Sequence, residues 1–236
     1  YRNDFSQNND FSIKWNHQED PKLRPNSRFS ASVNIASSSY SQNNLYSNDY
    51  LQNSLSSNIN WRKKWEGKPF NLSLTLRHSQ NTLTKQVDLT IPEINFNTGR
   101  QKLFNKSNKS SFLSNLGFSY SVNSRTQLSR PDSLLFNNIN KNIKSGVKHS
   151  IPISTSFNLF NYLNISPSLN YTERWYFKKN IQNWNDNLNE IYSDTLTGFY
   201  QLRDFNLSIN ASTKLYGIID FRKKTFRHVI TPSISF

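Results

Sequence analysis

The sequence is poor in several residue types, and each shortage excludes a class of protein. It contains no cysteine, which excludes a disulfide framework and a thiolate metal site. It has no run of about 18 apolar residues, so it has no candidate transmembrane helix. Its 6 glycines form none of the usual glycine-rich loops that bind phosphate. The hydrophobic fraction of 34% is low for a globular domain.

Aromatic residues and positive charge stand out against this background. Phe, Tyr and Trp make up 14% of the chain, which argues against disorder because disordered segments are poor in aromatic residues. Lys and Arg number 29 against 15 Asp and Glu, so the net charge is +14. Such a charge can serve nucleic-acid binding, but the aromatic residues lie on or beside apolar faces and not among the cations. We therefore expect no nucleic-acid partner.

Alternation of apolar and polar residues is the strongest pattern in the chain. From Val147 to Leu159 the odd positions are mostly apolar and the even positions are mostly Ser, Asn or Lys. Similar alternation covers residues 29–35, 70–77, 116–123 and 205–212. Period-two alternation is typical of strands with one apolar face, and no segment sustains helical spacing. The sequence therefore predicts an all-β fold of about ten strands.

The lengths of strands and connections favour a membrane barrel. Several alternating segments run for about 11–14 residues, which exceeds the usual globular strand and suffices to cross a bilayer. Short connections at 66–69, 160–163 and 217–225 contrast with long polar ones at 40–52, 126–145 and 177–198. Short periplasmic turns and long external loops are typical of bacterial outer-membrane barrels. The sequence therefore predicts an antiparallel, up-and-down transmembrane β-barrel in the bacterial outer membrane.

The predicted strand number indicates an incomplete barrel. About ten strands in an open sheet leave two unpaired edges, which a bilayer does not tolerate. We therefore expect residues 1–236 to be a single segment of a larger barrel domain. A soluble β-sandwich, such as a surface adhesin, also has alternating strands, and solubility without detergent would indicate it.

The parity of the pattern assigns side chains to the two faces of the sheet. The residues predicted to face lipid are Leu72, Leu74, Ile151, Ile153, Leu169, Leu207 and Ile209. The basic residues predicted to face the lumen are Arg62, Arg77, Arg125, Lys148, Arg174, Lys214 and Arg227. The aromatic residues predicted to form interfacial girdles at strand ends are Trp61, Trp65, Phe157, Phe160, Tyr162 and Trp175.

Several stretches are long enough to compare with known families. They are residues 16–34 (NHQEDPKLRPNSRFSASVN), 67–74 (GKPFNLSL), 78–81 (HSQN), 149–157 (HSIPISTSF), 170–176 (NYTERWY) and 227–233 (RHVITPS). These stretches resemble the LptD family of lipopolysaccharide-assembly proteins, in its divergent, non-proteobacterial branch. The resemblance spans nearly the whole chain, but the chain has none of the cysteines that mature the proteobacterial branch.

The resemblance implies a function and a set of partners. A family member receives lipopolysaccharide from a periplasmic bridge and inserts it into the outer leaflet of the outer membrane. A plug lipoprotein of the LptE type would lie in the lumen, and outer-membrane lipid would surround the barrel. The resemblance also implies an N-terminal jelly-roll domain, which we expect to lie outside this chain. The lumen cations are then candidates for binding the phosphates and acidic sugars of the head group. The alternative is that these cations only keep the lumen face hydrated.

Other functions are less well supported by the residues. The four histidines, His17, His78, His149 and His228, have no nearby Ser–Asp pair or metal-spaced partner. We therefore expect no enzyme activity, no metal and no cofactor. The alternative function is a TonB-dependent receptor or porin-type channel for soluble nutrients, which conductance without a lipid partner would indicate.

Overall fold

The computed structural model describes residues 10–37, 39–40, 53–104, 111–186, 189–221 and 224–236. Regular structure in these residues is almost entirely β-strand. Short helical turns occur at Ser111–Ser114 (α1), Ile139–Asn142 (α2) and, as a 3₁₀ turn, Asp132–Leu134. Among the described residues, none of the helices has the length and apolar character needed to cross a membrane.

The described residues form thirteen strands. They are β1 (Ser12–Gln18), β2 (Ser27–Ala36), β3 (Ser54–Lys64), β4 (Phe70–Asn81), β5 (Gln86–Lys102), β6 (Gly117–Pro131), β7 (Lys144–Ser154), β8 (Phe157–Leu159), β9 (Leu163–Asn185), β10 (Glu190–Thr213), β11 (Leu215–Phe221), β12 (Lys224–Ile230) and β13 (Ser233–Ser235). The alternating segments identified in the sequence lie in these strands except for Leu116, Thr155 and Ser156. An alternating pattern gives a pleated strand one uniform apolar face.

Strands that follow one another in the chain pair with one another. The main sheet has the order β1-β2-β3-β4-β5-β6-β7-β9-β10-β13, and the short strand β8 pairs with β9. Strands β11 and β12 form a separate antiparallel pair. This order confirms the predicted antiparallel meander from β1 to β10. It departs from the prediction at the end of the chain, where β13 pairs with β10 and leaves out β11 and β12. Within the described residues β1 and β13 stand at opposite ends of the order, so the sheet does not close on itself.

The pairing register separates the two faces of β2, β3 and β4. Trp61 stands opposite Phe29 on one side and Leu74 on the other, and Ile59 stands opposite Leu76. Directly opposed residues of antiparallel strands project from the same face of the sheet. The apolar side chains of these three strands therefore share one face, and the intervening Asn, Ser, Thr and Arg residues share the other.

The connections differ from those predicted. Residues 177–198 are not a loop, because β9 continues to Asn185 and β10 begins at Glu190. Residues 126–145 are strand at both ends, and residues 217–225 lie largely in β11 and β12. The sequence pattern does not show these extensions, because their residues are mostly polar and lack the apolar alternation. Backbone hydrogen bonds can continue a strand without an apolar face. Most of the predicted 40–52 loop lies outside the described residues.

The chain divides into two units, each composed of three segments. The first contains Tyr1–Phe96, Val122–Val147 and Trp175–Tyr200, and the second contains Asn97–Ser121, Lys148–Arg174 and Gln201–Phe236. The buried apolar residues of the described chain all belong to the first unit. They are Ala31, Ala36, Leu55, Val87 and Leu128. So small a set agrees with a protein that has no conventional dry core.

Candidate functional site

The polar face of β3 and β4 carries amide, hydroxyl and guanidinium groups. Asn60 donates its Nδ2 to Thr75 Oγ1 at 2.7 Å, which joins the two strands through their side chains. Arg62 stands opposite Ser73 on β4 and opposite Arg28 on β2. Like charges in directly opposed positions repel, so Arg28 and Arg62 create a local concentration of positive charge. This face is suited to polar, anionic partners.

A buried carboxylate organises two of the predicted lumen cations. Glu93 lies on β5 with its side chain 6% exposed. Its Oε1 accepts a hydrogen bond from Arg125 Nη2 on β6 at 2.9 Å, and its Oε2 lies 3.3 Å from Arg77 Nη1 on β4. Asn123 of β6 also contacts Glu93 and donates to Asn95 of β5. Three neighbouring strands are thus joined by one cluster with a net charge of about +1.

The cluster changes the interpretation of Arg77 and Arg125. The sequence predicts both as lumen cations, and the structure brings them together around Glu93, which the alternation did not predict as a site residue. Their side chains remain 55% and 45% exposed, so each guanidinium keeps a surface for a second partner. Because one carboxylate neutralises only one of the two charges, the pair still presents positive charge in a fixed geometry.

The other predicted lumen cations have different local surroundings. Arg174 of β9 donates Nη1 to Asp204 of β10 at 2.9 Å, so it belongs to a local ion pair. Lys148 is exposed on β7, and Lys214 lies between β10 and β11, outside either strand. Arg227 belongs to the separate β11–β12 pair, where its guanidinium stacks 4.8 Å from the centroid of the Tyr216 ring. The assignment of these seven cations to the lumen remains a prediction.

The second unit contains a groove rich in hydroxyl groups. Its volume is about 560 Å³, and its lining is mostly serine, from β7, β9, β10 and β13 and the β7–β8 connection. Ser168 and Ser208 hydroxyls hydrogen bond across it at 2.7 Å. Arg100 is the one charged residue among those described that line it, and it donates to the carbonyl groups of Asn115 and Ser154. Hydroxyl groups both donate and accept, so this groove suits neutral sugars.

The residues predicted to face lipid differ in exposure. Leu169, Leu207 and Ile209 are exposed, whereas Leu72, Leu74, Ile151 and Ile153 are half-buried by neighbouring side chains. Ile209 also lines the hydroxyl-rich groove. The assignment of these seven residues to lipid remains a prediction.

The predicted girdle residues occupy two kinds of position. Trp65, Phe160 and Tyr162 lie in or beside turns, and Trp65 meets Phe70 edge-on at 6.5 Å. Phe157 begins β8 and contacts Phe112. Trp61 and Trp175 are not at strand ends, since β3 continues to Lys64 and β9 to Asn185. Trp175 meets Phe199 at 5.8 Å, so the aromatic positions on β9 and β10 lie within extended strands.

One serine hydroxyl among the described residues lies beside a histidine ring. Ser57 Oγ lies 3.4 Å from His78 Nδ1, but this hydroxyl also donates to the Asn34 carbonyl and accepts from the Asn34 N–H. A hydroxyl held by backbone in this way is poorly placed to act as a nucleophile. No group of three His, Asp or Glu side chains in the described chain is arranged to hold a metal.

The chain was compared with protein-family models and with curated protein sequences. A protein-family model described as LptD protein matches residues 1–236. No curated protein sequence matches the chain.

Proposed function

Because the chain belongs to the LptD protein family, whose members transport and assemble lipopolysaccharide, we propose that it carries lipopolysaccharide head groups along the polar face of its sheet. In this proposal the chain is an integral part of a bacterial outer-membrane barrel. Its apolar face contacts outer-membrane lipid, and its polar face lines the lumen. Lipopolysaccharide is delivered through the lumen and inserted into the outer leaflet.

The two-faced register of β2, β3 and β4 is the observation that carries the proposal. Apolar Phe29, Trp61 and Leu74 share one face, while Arg28 and Arg62 share the other. A lipopolysaccharide molecule has the same division, with apolar acyl chains and a polar, anionic head group. A strand in a barrel alternates between lipid and a polar interior, so one sheet can serve both parts of the substrate.

Transport requires contacts that are weak enough to release the substrate. In a wet lumen, charge is screened within about 8 Å at physiological ionic strength. Each exposed cation on the polar face therefore contributes a modest attraction, and the head group can pass from one to the next. Hydroxyl and amide groups such as Asn60 and Thr75 supply exchangeable hydrogen bonds for sugars. No single residue is expected to dominate.

The partners follow from the same proposal. A plug lipoprotein of the LptE type would occupy the lumen, and a periplasmic bridge would deliver lipopolysaccharide to it. Affinity purification of the intact protein in mild detergent should recover a lipoprotein and bound lipopolysaccharide together. Ion conductance in planar bilayers without either partner would instead favour a nutrient channel.

The sharpest test of the charged face uses Arg28 and Arg62. These residues already form a like-charge pair, so the double substitution R28E/R62E replaces one repulsive pair by another and changes mainly the sign of the charge. The substitution should slow delivery of lipopolysaccharide to the cell surface without loss of the folded barrel. Surface lipopolysaccharide and heat-modifiable mobility in electrophoresis measure the two properties separately.

The matched control is K22E/K68E, which makes the same change of charge at two exposed residues outside the strands. Equal slowing in both variants would mean that only net charge matters. Normal delivery by an assembled R28E/R62E barrel would remove this face from the route.

A further inference from the structure

A basic cavity lies inside the first unit, where β6, β7 and β9 adjoin the connection that contains α2. Its volume is about 520 Å³. Four of its lining residues are basic, namely Arg125, Lys141, Lys144 and Lys178, and none of the described residues that line it is acidic. A concave surface with charge of one sign concentrates counter-ions more strongly than the same charges on a flat surface. The cavity is therefore suited to an anion.

Two of the four cations are held in fixed positions. Lys178 Nζ donates to the carbonyl oxygens of Asn140, Lys141 and Ile143 at 2.6, 3.0 and 2.7 Å, which uses all three N–H groups of the ammonium. Its charge therefore stays beside the end of α2. Arg125 is held by the hydrogen bond from its Nη2 to the buried Glu93. Cations fixed before the ligand arrives lose little conformational entropy on binding.

The other two cations are available to a ligand. Both are exposed lysines: Lys141 lies in the last turn of α2, and Lys144 begins β7. Neither ammonium forms an ion pair with any residue that the structure describes. Tyr176 adds an aromatic ring to the same lining. A ring beside several cations can hold the apolar face of a sugar while the cations bind its charged substituent.

We propose that the basic cavity is a binding site for a phosphorylated sugar, in which Lys141, Lys144 and Arg125 bind the phosphate and Tyr176 contacts the sugar ring. Lys178 contributes fixed charge rather than a hydrogen bond. The proposal deepens the proposed function and rests on it for the sugar, because the head group of the transported glycolipid carries phosphorylated sugars. The arrangement of charges alone indicates a phosphate.

The binding experiment uses the intact protein in detergent and three small probes. They are glucosamine 1-phosphate, unphosphorylated glucosamine and inorganic phosphate, each titrated by isothermal calorimetry. The variant K141A/K144A should bind glucosamine 1-phosphate about tenfold more weakly than the unaltered protein, since two charge-assisted contacts are lost. The control K22A/K68A removes the same charge at exposed residues outside the cavity and should bind normally.

Three results of the titrations would overturn the proposal. They are equal losses in the two variants, equal affinity for glucosamine and its phosphate, and tighter binding of inorganic phosphate than of the phosphorylated sugar. The last result would assign the cavity to free phosphate instead of a head group. Tighter binding of the phosphorylated sugar than of either comparison probe supports the head-group assignment.

An assay in cells separates this inference from the proposed function. Depletion of the protein should reduce lipopolysaccharide at the cell surface, and K141A/K144A should reduce it partly. If depletion reduces surface lipopolysaccharide but K141A/K144A delivers lipopolysaccharide normally, the cavity lies off the transport route. In that case only the inference about the cavity fails. If depletion leaves surface lipopolysaccharide unchanged, the proposed function itself fails.

Discussion

Each of the two units contains an ion pair between arginine and a carboxylate, but in different surroundings. In the first unit Arg77 and Arg125 share Glu93, whose side chain is 6% exposed. In the second unit Arg174 pairs with Asp204, whose side chain is 49% exposed. All three arginines have the polar parity of their strands. The cost of losing a partner therefore depends on whether the remaining charge can reach water.

The largest effect is expected from removal of both cations in the first unit. The substitution R77A/R125A leaves the Glu93 carboxylate buried and without a positive partner. Breaking a buried pair in this way should lower the free energy of unfolding by about 3–5 kcal/mol. Urea titration of the protein in lipid vesicles, followed by tryptophan fluorescence, measures this change.

A rescue variant isolates the role of the buried charge. The triple substitution R77A/E93Q/R125A also replaces the carboxylate by a neutral amide, which keeps its shape. It should recover most of the lost stability, because the remaining cost is that of neutral hydrogen bonds, about 1 kcal/mol each. Equal instability of the double and triple variants would show that the arginines stabilise the sheet by packing and not by pairing.

The sequence could predict the arginines of this cluster but not the cluster itself. Alternation along β4 and β6 is regular, so the parity of Arg77 and Arg125 is evident from the residues alone. Glu93 has the same parity as Val87, Leu89 and Ile91, so the pattern gave no reason to place it beside arginines. Only the pairing of β5 with both neighbours joins the three side chains.

A second, smaller effect is expected on the apolar face of the second unit. Among the described residues the fully buried apolar side chains all lie in the first unit, and Ile153 of the second unit is half-buried. If Ile153 faces lipid near the bilayer midplane, Ile153→Arg should destabilise the barrel by about 2–4 kcal/mol. The difference should be seen in the urea midpoint measured in lipid vesicles.

The control for this substitution is Ser150→Arg, on the same strand with the opposite parity. A lumen-facing arginine is hydrated and should cost less than about 1 kcal/mol. If Ser150→Arg is the more damaging of the two, the predicted phase of β7 is reversed.

Strand ends were harder to predict than strand faces. Apolar alternation identifies only the part of a strand whose side chains contact an apolar environment. Backbone hydrogen bonds can extend the strand beyond that part. This is why β9 and β10 extend through residues 177–185 and 190–198, where Asn, Asp and Lys break the alternation. The same reason places Trp175 within a strand, although the pattern suggested that it lies at an end.

The smallest effect is expected from Arg174→Ala. The Arg174 and Asp204 side chains are 29% and 49% exposed, so both charges can be hydrated when the pair is broken. Exposed ion pairs are worth about 0.2–1 kcal/mol, and screening by salt reduces this further. The stability of the protein and its delivery of lipopolysaccharide should therefore change little. A double-mutant cycle of Arg174→Ala and Asp204→Ala measures the coupling free energy directly. A coupling above about 2 kcal/mol would mean that the pair is shielded from water, as the Glu93 cluster is, and would remove the difference between the two units.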